Sequence, residues 1–127
     1  MEKQRKQNVS DAEDEIMYES KMKSEATDHL FRAILSLKTE EECYRFFDDL
    51  CTFGEILAMT QRYQVAEELY NGKTFSAISE KIGVSSTTIT RVNRCLNYGA
   101  DGYRTVLDRK HGKSAGGREG EGSPANE

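Results

Sequence analysis

The chain has 127 residues, of which 36% are hydrophobic and 31% charged, and its net charge is −4 at neutral pH. This length predicts one domain at most, and a sequence with neither an apolar leader nor 18 successive apolar residues predicts a protein that is neither secreted nor membrane-spanning. The three cysteines form no C-x-x-C pair and the two histidines are isolated. We therefore expect a reduced, cytoplasmic protein without a metal site or cofactor.

The residue pattern divides the chain into a flexible N-terminal arm, one helical domain and a disordered tail. Residues 1–23 are mostly charged and polar, and residues 112–127 are a low-complexity segment. Neither has the apolar content that a packed core needs. Residues 24–111 have apolar side chains at helical spacing and no segment with strand-like alternation. The sequence therefore predicts an all-α fold over 24–111.

Capping signals mark the helices of the first half. A short helix is predicted over Asp28–Leu37. The segments Thr39–Glu42 and Thr52–Glu55 have the spacing of a capping box, in which a threonine and a glutamate three residues later satisfy the first backbone N–H groups of a helix. The helix that follows the second box is predicted to end at Asn71-Gly72. Its apolar residues form two stripes, which predicts burial on two sides.

The segment Thr74–Leu96 predicts a helix-turn-helix, in which the second helix fits the DNA major groove. Gly83 lies where the first helix must stop, and glycine enters the left-handed region there without a Cβ penalty. Ser85 can cap the second helix, and beyond it Asp101 can cap a last helix. The apolar residues with the spacing of two packed helices are Ile78, Ile82, Val84, Ile89, Val92 and Leu96.

The charge distribution changes sign at this segment. Residues 1–71 carry 9 Lys and Arg against 16 Asp and Glu, a net charge of −7, whereas residues 72–111 carry 7 against 3, a net charge of +4. The positive charge thus coincides with the predicted helix-turn-helix, where phosphates would be met. Two solvated faces of opposite sign are the alternative interpretation.

Oligomeric state can also be predicted from the apolar residues. Five or six short helices in about 85 residues leave a small core, and the two N-terminal helices have more apolar surface than such a core can cover. A homodimer in which these helices pack across the two-fold axis would bury that surface. It would also space two recognition helices for a palindromic site.

Three parts of the sequence together are more specific than a general helix-turn-helix: Gln61–Leu69 (QRYQVAEEL), the Asn71-Gly72 stop and Thr88–Arg91 (TITR). Through them the chain resembles, over about 30–107, the Trp repressor superfamily and its YerC/YecD-type branch of bacterial proteins. The resemblance implies an intertwined, all-helical homodimer that regulates transcription from double-stranded DNA, with repression as the expected sign.

The family's corepressor site carries over in part. The two arginines that sandwich the indole of the corepressor match Arg62 and Arg91. The glycine that follows the second arginine in the Trp repressor is Val92 here, which helix spacing places on the inner face. A valine would occupy space that the indole needs, so we expect a closed pocket and no response to tryptophan. A pocket for another effector, formed by Arg62, Arg91, Val92 and Cys95, stays an alternative.

The DNA-binding residues follow from the outward positions of the second helix and from the nearby cations. Hydroxyl groups near the start of the helix can contact base edges, phosphates or the thymine methyl group. Arg91 can bind a guanine or a phosphate, while the other cations are expected to hold the DNA backbone. Caps and solubilising groups are the alternative role for the hydroxyls. The predicted set is Lys73, Lys81, Ser85, Ser86, Thr87, Thr88, Thr90, Arg91 and Arg94.

Two other classes of function can be weighed. The first is a helical module that binds a transcription-machinery partner without reading bases, through the acidic N-terminal half and the aromatic residues Tyr44, Phe46 and Phe47. The second is an enzyme. The sequence offers no nucleophile–base pair, metal cluster or Gly-rich phosphate loop, so catalysis is not expected.

Overall fold

A computed structural model of the protein describes residues 18–112. Residues 1–17 of the predicted arm (1–23) and residues 113–127 of the predicted tail (112–127) lie outside the described residues. Within 18–112 every regular element is an α-helix, which confirms the all-α fold class. The six helices are α1 (Glu25–Leu35), α2 (Glu40–Leu50), α3 (Phe53–Tyr70), α4 (Phe75–Ile82), α5 (Ser86–Tyr98) and α6 (Gly102–Lys110).

The helices belong to two compact units that divide between Phe47 and Asp48, within α2. The first unit contains α1 and most of α2, and the second contains α3 to α6. That residues 24–111 form one domain stays a prediction. None of the described helices is long and apolar enough to cross a membrane.

Local caps set the start of the first two helices. The Ser24 hydroxyl accepts the N–H of Thr27 at 3.0 Å, so α1 begins earlier than the predicted Asp28 and ends at Leu35. The predicted box at the start of α2 is formed in part. The N–H of Glu42 donates to the Thr39 hydroxyl at 3.1 Å, but the Glu42 carboxylate accepts the N–H of Lys38 rather than that of Thr39.

The capping box at the start of α3 is complete and confirms the prediction. The Thr52 hydroxyl accepts the Glu55 N–H at 3.1 Å, and the Glu55 carboxylate accepts the Thr52 N–H at 2.8 Å. The helix ends at Tyr70, followed by Asn71 and by Gly72 with φ 85°, as the stop signal predicted. Asp101 precedes α6 as predicted but makes no side-chain capping bond, because its own φ of 68° is left-handed rather than extended.

The core of the second unit lies where α3 packs against α4, α5 and α6, and where α5 also packs against α4 and α6. Burial on α3 is confined to its C-terminal half, whereas Leu57 and Met59 nearer its start are exposed. The buried apolar residues are Val65, Ala66, Ile78, Ile89, Val92, Leu96 and Leu107. Six of these seven come from the helices α3, α4 and α5, so the core fixes α5 to the long helix.

A second set of apolar side chains is exposed. In the first unit α1 has no buried residue, and neither has α2 along its whole length. The start of α3 likewise presents Phe53, which is 82% exposed. The large exposed hydrophobic residues up to this point of the chain are Tyr18, Met22, Phe31, Leu35, Tyr44, Leu50, Phe53, Leu57 and Met59. Such a number in one stretch of sequence is typical of a surface that another chain covers.

Candidate nucleic-acid interface

The turn between α4 and α5 is held by bonds within a few residues. Gly83 adopts the left-handed conformation with φ 83°, and its N–H donates to the Ser79 carbonyl at 2.8 Å. The Ser79 hydroxyl donates to the Val84 carbonyl at 3.2 Å, which ties the end of α4 to the turn. The Ser85 hydroxyl then accepts the Thr88 N–H at 3.2 Å and caps α5. Two of these features, the Gly83 stop and the Ser85 cap, are those expected from the sequence.

The inner face of α5 is apolar and fully packed. Ile89, Val92 and Leu96 are at most 3% exposed and belong to the core of the second unit. Much of the opposite side of the helix is exposed to solvent. Five of the predicted DNA-binding residues are exposed on it: Ser86, Thr87, Thr90, Arg91 and Arg94. Hydroxyl and guanidinium groups thus share one outer surface, which we call the α5 outer face and define by these five residues.

Two of the hydroxyl groups predicted to contact DNA take part in the N-terminal cap of α5. The Ser85 hydroxyl accepts the Thr88 backbone N–H in the cap and donates to the Thr88 hydroxyl at 3.3 Å. Thr88 is half-buried and lines a pocket, whereas Thr87 and Thr90 are exposed to solvent. The structure therefore separates Ser85 and Thr88, as residues that shape the start of α5, from the α5 outer face.

The two lysines of the predicted set differ in their surroundings. Lys73 is exposed in the loop that follows α3, where its backbone N–H bonds the Glu68 carbonyl. Lys81 on α4 makes an ion pair of 2.9 Å with Glu68, whose side chain is 19% exposed. Any phosphate at this position would have to compete with the Glu68 carboxylate for the Lys81 ammonium.

A pocket of about 240 Å³ lies beside the inner face of α5. It is lined by residues of α3, of the turn, of α5 and of α6: Ala58, Gln61, Arg62, Val84, Thr88, Arg91, Val92, Cys95 and Tyr103. All four residues of the predicted effector site are among them. The sequence predicted that Val92 would close this space. Val92 is 2% exposed and belongs to the core, and it also forms one wall of the pocket, so its side chain narrows this space without closing it.

Sequence reasoning missed a polar cluster between the ends of α3, α5 and α6. Asp108 is 1% exposed, and the Tyr70 hydroxyl donates to its carboxylate at 2.5 Å. Burial, together with this bond to Asp108, raises the pKa of Tyr70 to about 12. The Arg104 guanidinium lies 5.6 Å from the centroid of the Tyr70 ring. Asp108 and Arg104 are one helical turn apart, and that spacing was the signal available in the sequence.

No three His, Cys, Asp or Glu side chains within residues 18–112 are grouped so that they could hold a metal ion. The cysteines Cys43, Cys51 and Cys95 are free thiols. The ion pair between Lys110 and Glu67 raises the pKa of the lysine.

Comparison with known proteins gives one family and similar solved structures. The family model of the Trp repressor protein matches residues 25–111. The chain is 54% identical over 89 residues to the uncharacterized protein YerC of Bacillus subtilis, a match that covers 70% of this chain and 86% of that protein. A TrpR-like protein of Eubacterium eligens matches with a TM-score of 0.69 at 50% identity, covering 74% of this chain and 97% of its own. A candidate Trp repressor of Staphylococcus aureus matches with a TM-score of 0.69 at 48% identity, covering 72% and 91%.

Proposed function

This chain belongs to the Trp repressor family, a family of regulators, and we propose that it is a transcriptional regulator that binds specific double-stranded DNA sequences. The observation that carries the proposal is the α5 outer face, whose hydroxyl and guanidinium groups are exposed on a helix fixed from behind by the core. We further propose that it represses transcription in the cytoplasm and has no catalytic activity.

Recognition would depend on the two ends of the α5 outer face. Ser86, Thr87 and Thr90 can contact base edges or a thymine methyl group, and Arg91 can donate two hydrogen bonds to a guanine. Arg94 and the exposed Lys73 would contact phosphates, which set the position of the protein without reading sequence. The positive charge of this part of the chain favours such contacts, although the net charge of the whole protein is negative.

A homodimer would give the regulator its symmetry. Neither α1 nor α2 has a buried residue, and the start of α3 is also apolar and exposed. We propose that these surfaces pack in an intertwined dimer, which would present two copies of α5 to a palindromic operator. Sedimentation at micromolar concentration should give the mass of a dimer. A compact, stable monomer would contradict this part of the proposal.

The pocket beside α5 would be the effector site. Arg62 and Arg91 both line it, and guanidinium groups suit a ligand with a carboxylate or phosphate group. We propose that tryptophan is not that ligand, because Val92 lies in the wall of the pocket and its two methyl groups narrow the space where the Trp repressor has a glycine. Since Arg91 also belongs to the α5 outer face, a ligand that binds it would change DNA affinity directly.

Selection of bound sequences from a random DNA pool, followed by titration of variants, tests the proposal. Arg91→Ala should reduce affinity for the selected site by about ten-fold or more and leave affinity for random DNA much less changed. Lys73→Ala should weaken both alike and reduce the slope of log affinity against log salt by about one. The matched control is Arg109→Ala, which removes an exposed arginine on α6. A pool without any enriched sequence would contradict sequence-specific binding.

The same titration separates the alternative of a protein-interaction module. The observation that favours that module is Tyr44, which is 72% exposed on the acidic helix α2. A module of this kind would bind its partner with little dependence on salt and would show no steep salt slope with DNA. We favour DNA binding because the basic residues lie on α5 and near it.

A further inference from the structure

The C-terminal end of α5 is bonded to α6 by one side chain. An Arg104 guanidinium nitrogen lies 3.3 Å from the Leu96 carbonyl and 3.2 Å from the Asn97 side-chain oxygen. The last carbonyls of a helix have no partner within the helix, and they form its negative end. A guanidinium therefore suits this position. The Asn97 side chain is fixed by a bond one turn earlier on α5, because its amide nitrogen donates to the Asn93 carbonyl at 3.0 Å.

The same guanidinium is linked to α3. It lies over the ring of Tyr70, the last residue of α3, and the Tyr70 hydroxyl donates to buried Asp108, one turn after Arg104 on α6. A continuous set of polar contacts thus joins the ends of α3, α5 and α6. We call it the Arg104 cluster and define it by Arg104, Tyr70, Asp108 and the last turn of α5.

The Arg104 cluster gives α5 directional bonds, which its apolar contacts do not provide. Burial of Ile89, Val92 and Leu96 holds α5 against the core, but hydrophobic contact is non-directional and tolerates small rotations or shifts of a helix. Hydrogen bonds from a planar guanidinium have a direction. They fix the end of α5 in one orientation, and a rigid helix transmits that orientation to its first turns.

The composition of the cluster also favours a geometric role over a purely stabilising one. The Nε of Arg104 and one carboxylate oxygen of Asp108 are buried without a hydrogen-bond partner among the described residues. Buried charged groups of this kind contribute less stability than well-packed apolar residues of similar size, whereas they can select one arrangement among several.

We propose that Arg104 is a positioning residue for DNA recognition, which fixes the orientation of α5 without touching DNA. The inference rests on the proposed function, in which α5 reads the bases. Specific binding needs the groups of the α5 outer face aligned with base edges, whereas binding to random DNA needs only cations near phosphates. Loss of the Arg104 bonds should therefore reduce specific affinity and spare non-specific affinity.

Two variants and one control test this inference on the full chain. Arg104→Met keeps much of the aliphatic stem and removes every donor, while Arg104→Lys keeps the charge but loses the planar fork. The control is Arg109→Met, on the exposed side of the same helix. Circular dichroism confirms that each variant is folded, and Arg104→Lys serves if Arg104→Met does not fold.

The first measurement is amide hydrogen exchange of the free protein. We expect exchange in the last turn of α5 and in α6 to become about ten-fold faster in Arg104→Met, with a smaller change in Arg104→Lys and none in the control. Unchanged protection of the last turn of α5 would overturn the inference. This measurement needs no DNA, so it tests whether Arg104 holds the end of α5 even where the proposed function fails.

The second measurement is affinity for the selected site and for random DNA. Arg104→Met should bind the selected site about ten-fold more weakly and bind random DNA as the wild type does, with an unchanged salt slope. Equal losses on both DNAs, with a slope reduced by about one, would show that Arg104 contacts a phosphate and would overturn the positioning role. A wild type that prefers no sequence would overturn the proposed function instead.

Discussion

The bond between Tyr70 and Asp108 should make the stability of this protein depend on pH in the alkaline range. The Tyr70 hydroxyl donates to a buried carboxylate at 2.5 Å, and Tyr70→Phe removes the donor while keeping the ring under Arg104. A hydrogen bond to a charged group contributes about 1.5–3 kcal/mol. The pKa of Tyr70 is raised from 10.0 to about 12, and two pKa units correspond to about 2.7 kcal/mol.

The sign of the pH effect follows from which state holds the proton. The folded protein binds the Tyr70 proton more tightly than the unfolded chain does. The contribution of this proton to the free energy of unfolding is therefore fully present below the unfolded pKa of 10.0. Between that pH and about 12 the unfolded chain ionises first and the contribution falls. At pH 11 about 1.4 kcal/mol of it should be lost.

Urea unfolding of the wild type and of Tyr70→Phe at pH 8, 10 and 11 measures this difference. The two proteins share every other ionisable group, so the effects of those groups cancel in the comparison. We expect the wild type to be more stable by about 2–3 kcal/mol at pH 8 and the difference to shrink as the pH rises. A difference below about 0.5 kcal/mol at pH 8, or one that is the same at pH 11, would refute the reasoning.

Three further predictions concern the turn, the paired lysine and the pocket. Gly83→Ala should cost about 1–2 kcal/mol in thermal or urea unfolding, because φ is 83° there while no atom lies within 4 Å of the added Cβ. Lys81→Ala should reduce the slope of log DNA affinity against log salt less than Lys73→Ala does, because the Lys81 ammonium must first leave Glu68. Equal reductions of the slope by the two substitutions would contradict this. Calorimetry should detect no L-tryptophan binding to the wild type, and binding gained by Val92→Gly would support the role of Val92, whereas micromolar binding by the wild type would refute it.

Several parts of the fold could be predicted because their causes lie within a few residues. The Thr52–Glu55 box, the Ser85 cap and the left-handed Gly83 each depend on atoms in a single turn of chain. The apolar spacing of α5 likewise predicted which residues turn inward, and Ile89, Val92 and Leu96 are all buried. Prediction was less accurate where a cap had alternatives, as at Glu42, which accepts from Lys38 rather than from Thr39.

The site was predicted in outline but not in its details. Helix spacing identified the α5 outer face, because side-chain direction on a helix follows from position alone. It could not show that Lys81 pairs with Glu68, 13 residues earlier, nor that a pocket remains beside Val92 although Val92 forms one of its walls. Those outcomes depend on the distance between α3, α4 and α5, which no local pattern contains.

The sequence by itself determined that the chain forms capped helices, where the turn between α4 and α5 lies, and which side of α5 carries polar groups. Hydrogen bonds within one turn and the 3.6-residue period are sufficient for these features. Only the tertiary structure decided that Asp108 is buried and accepts a bond from Tyr70, 38 residues earlier, and that Arg104 holds the end of α5. Burial and pairing at such separations arise from the packing of whole helices, so a charged residue looks the same in sequence whether it faces solvent or the core.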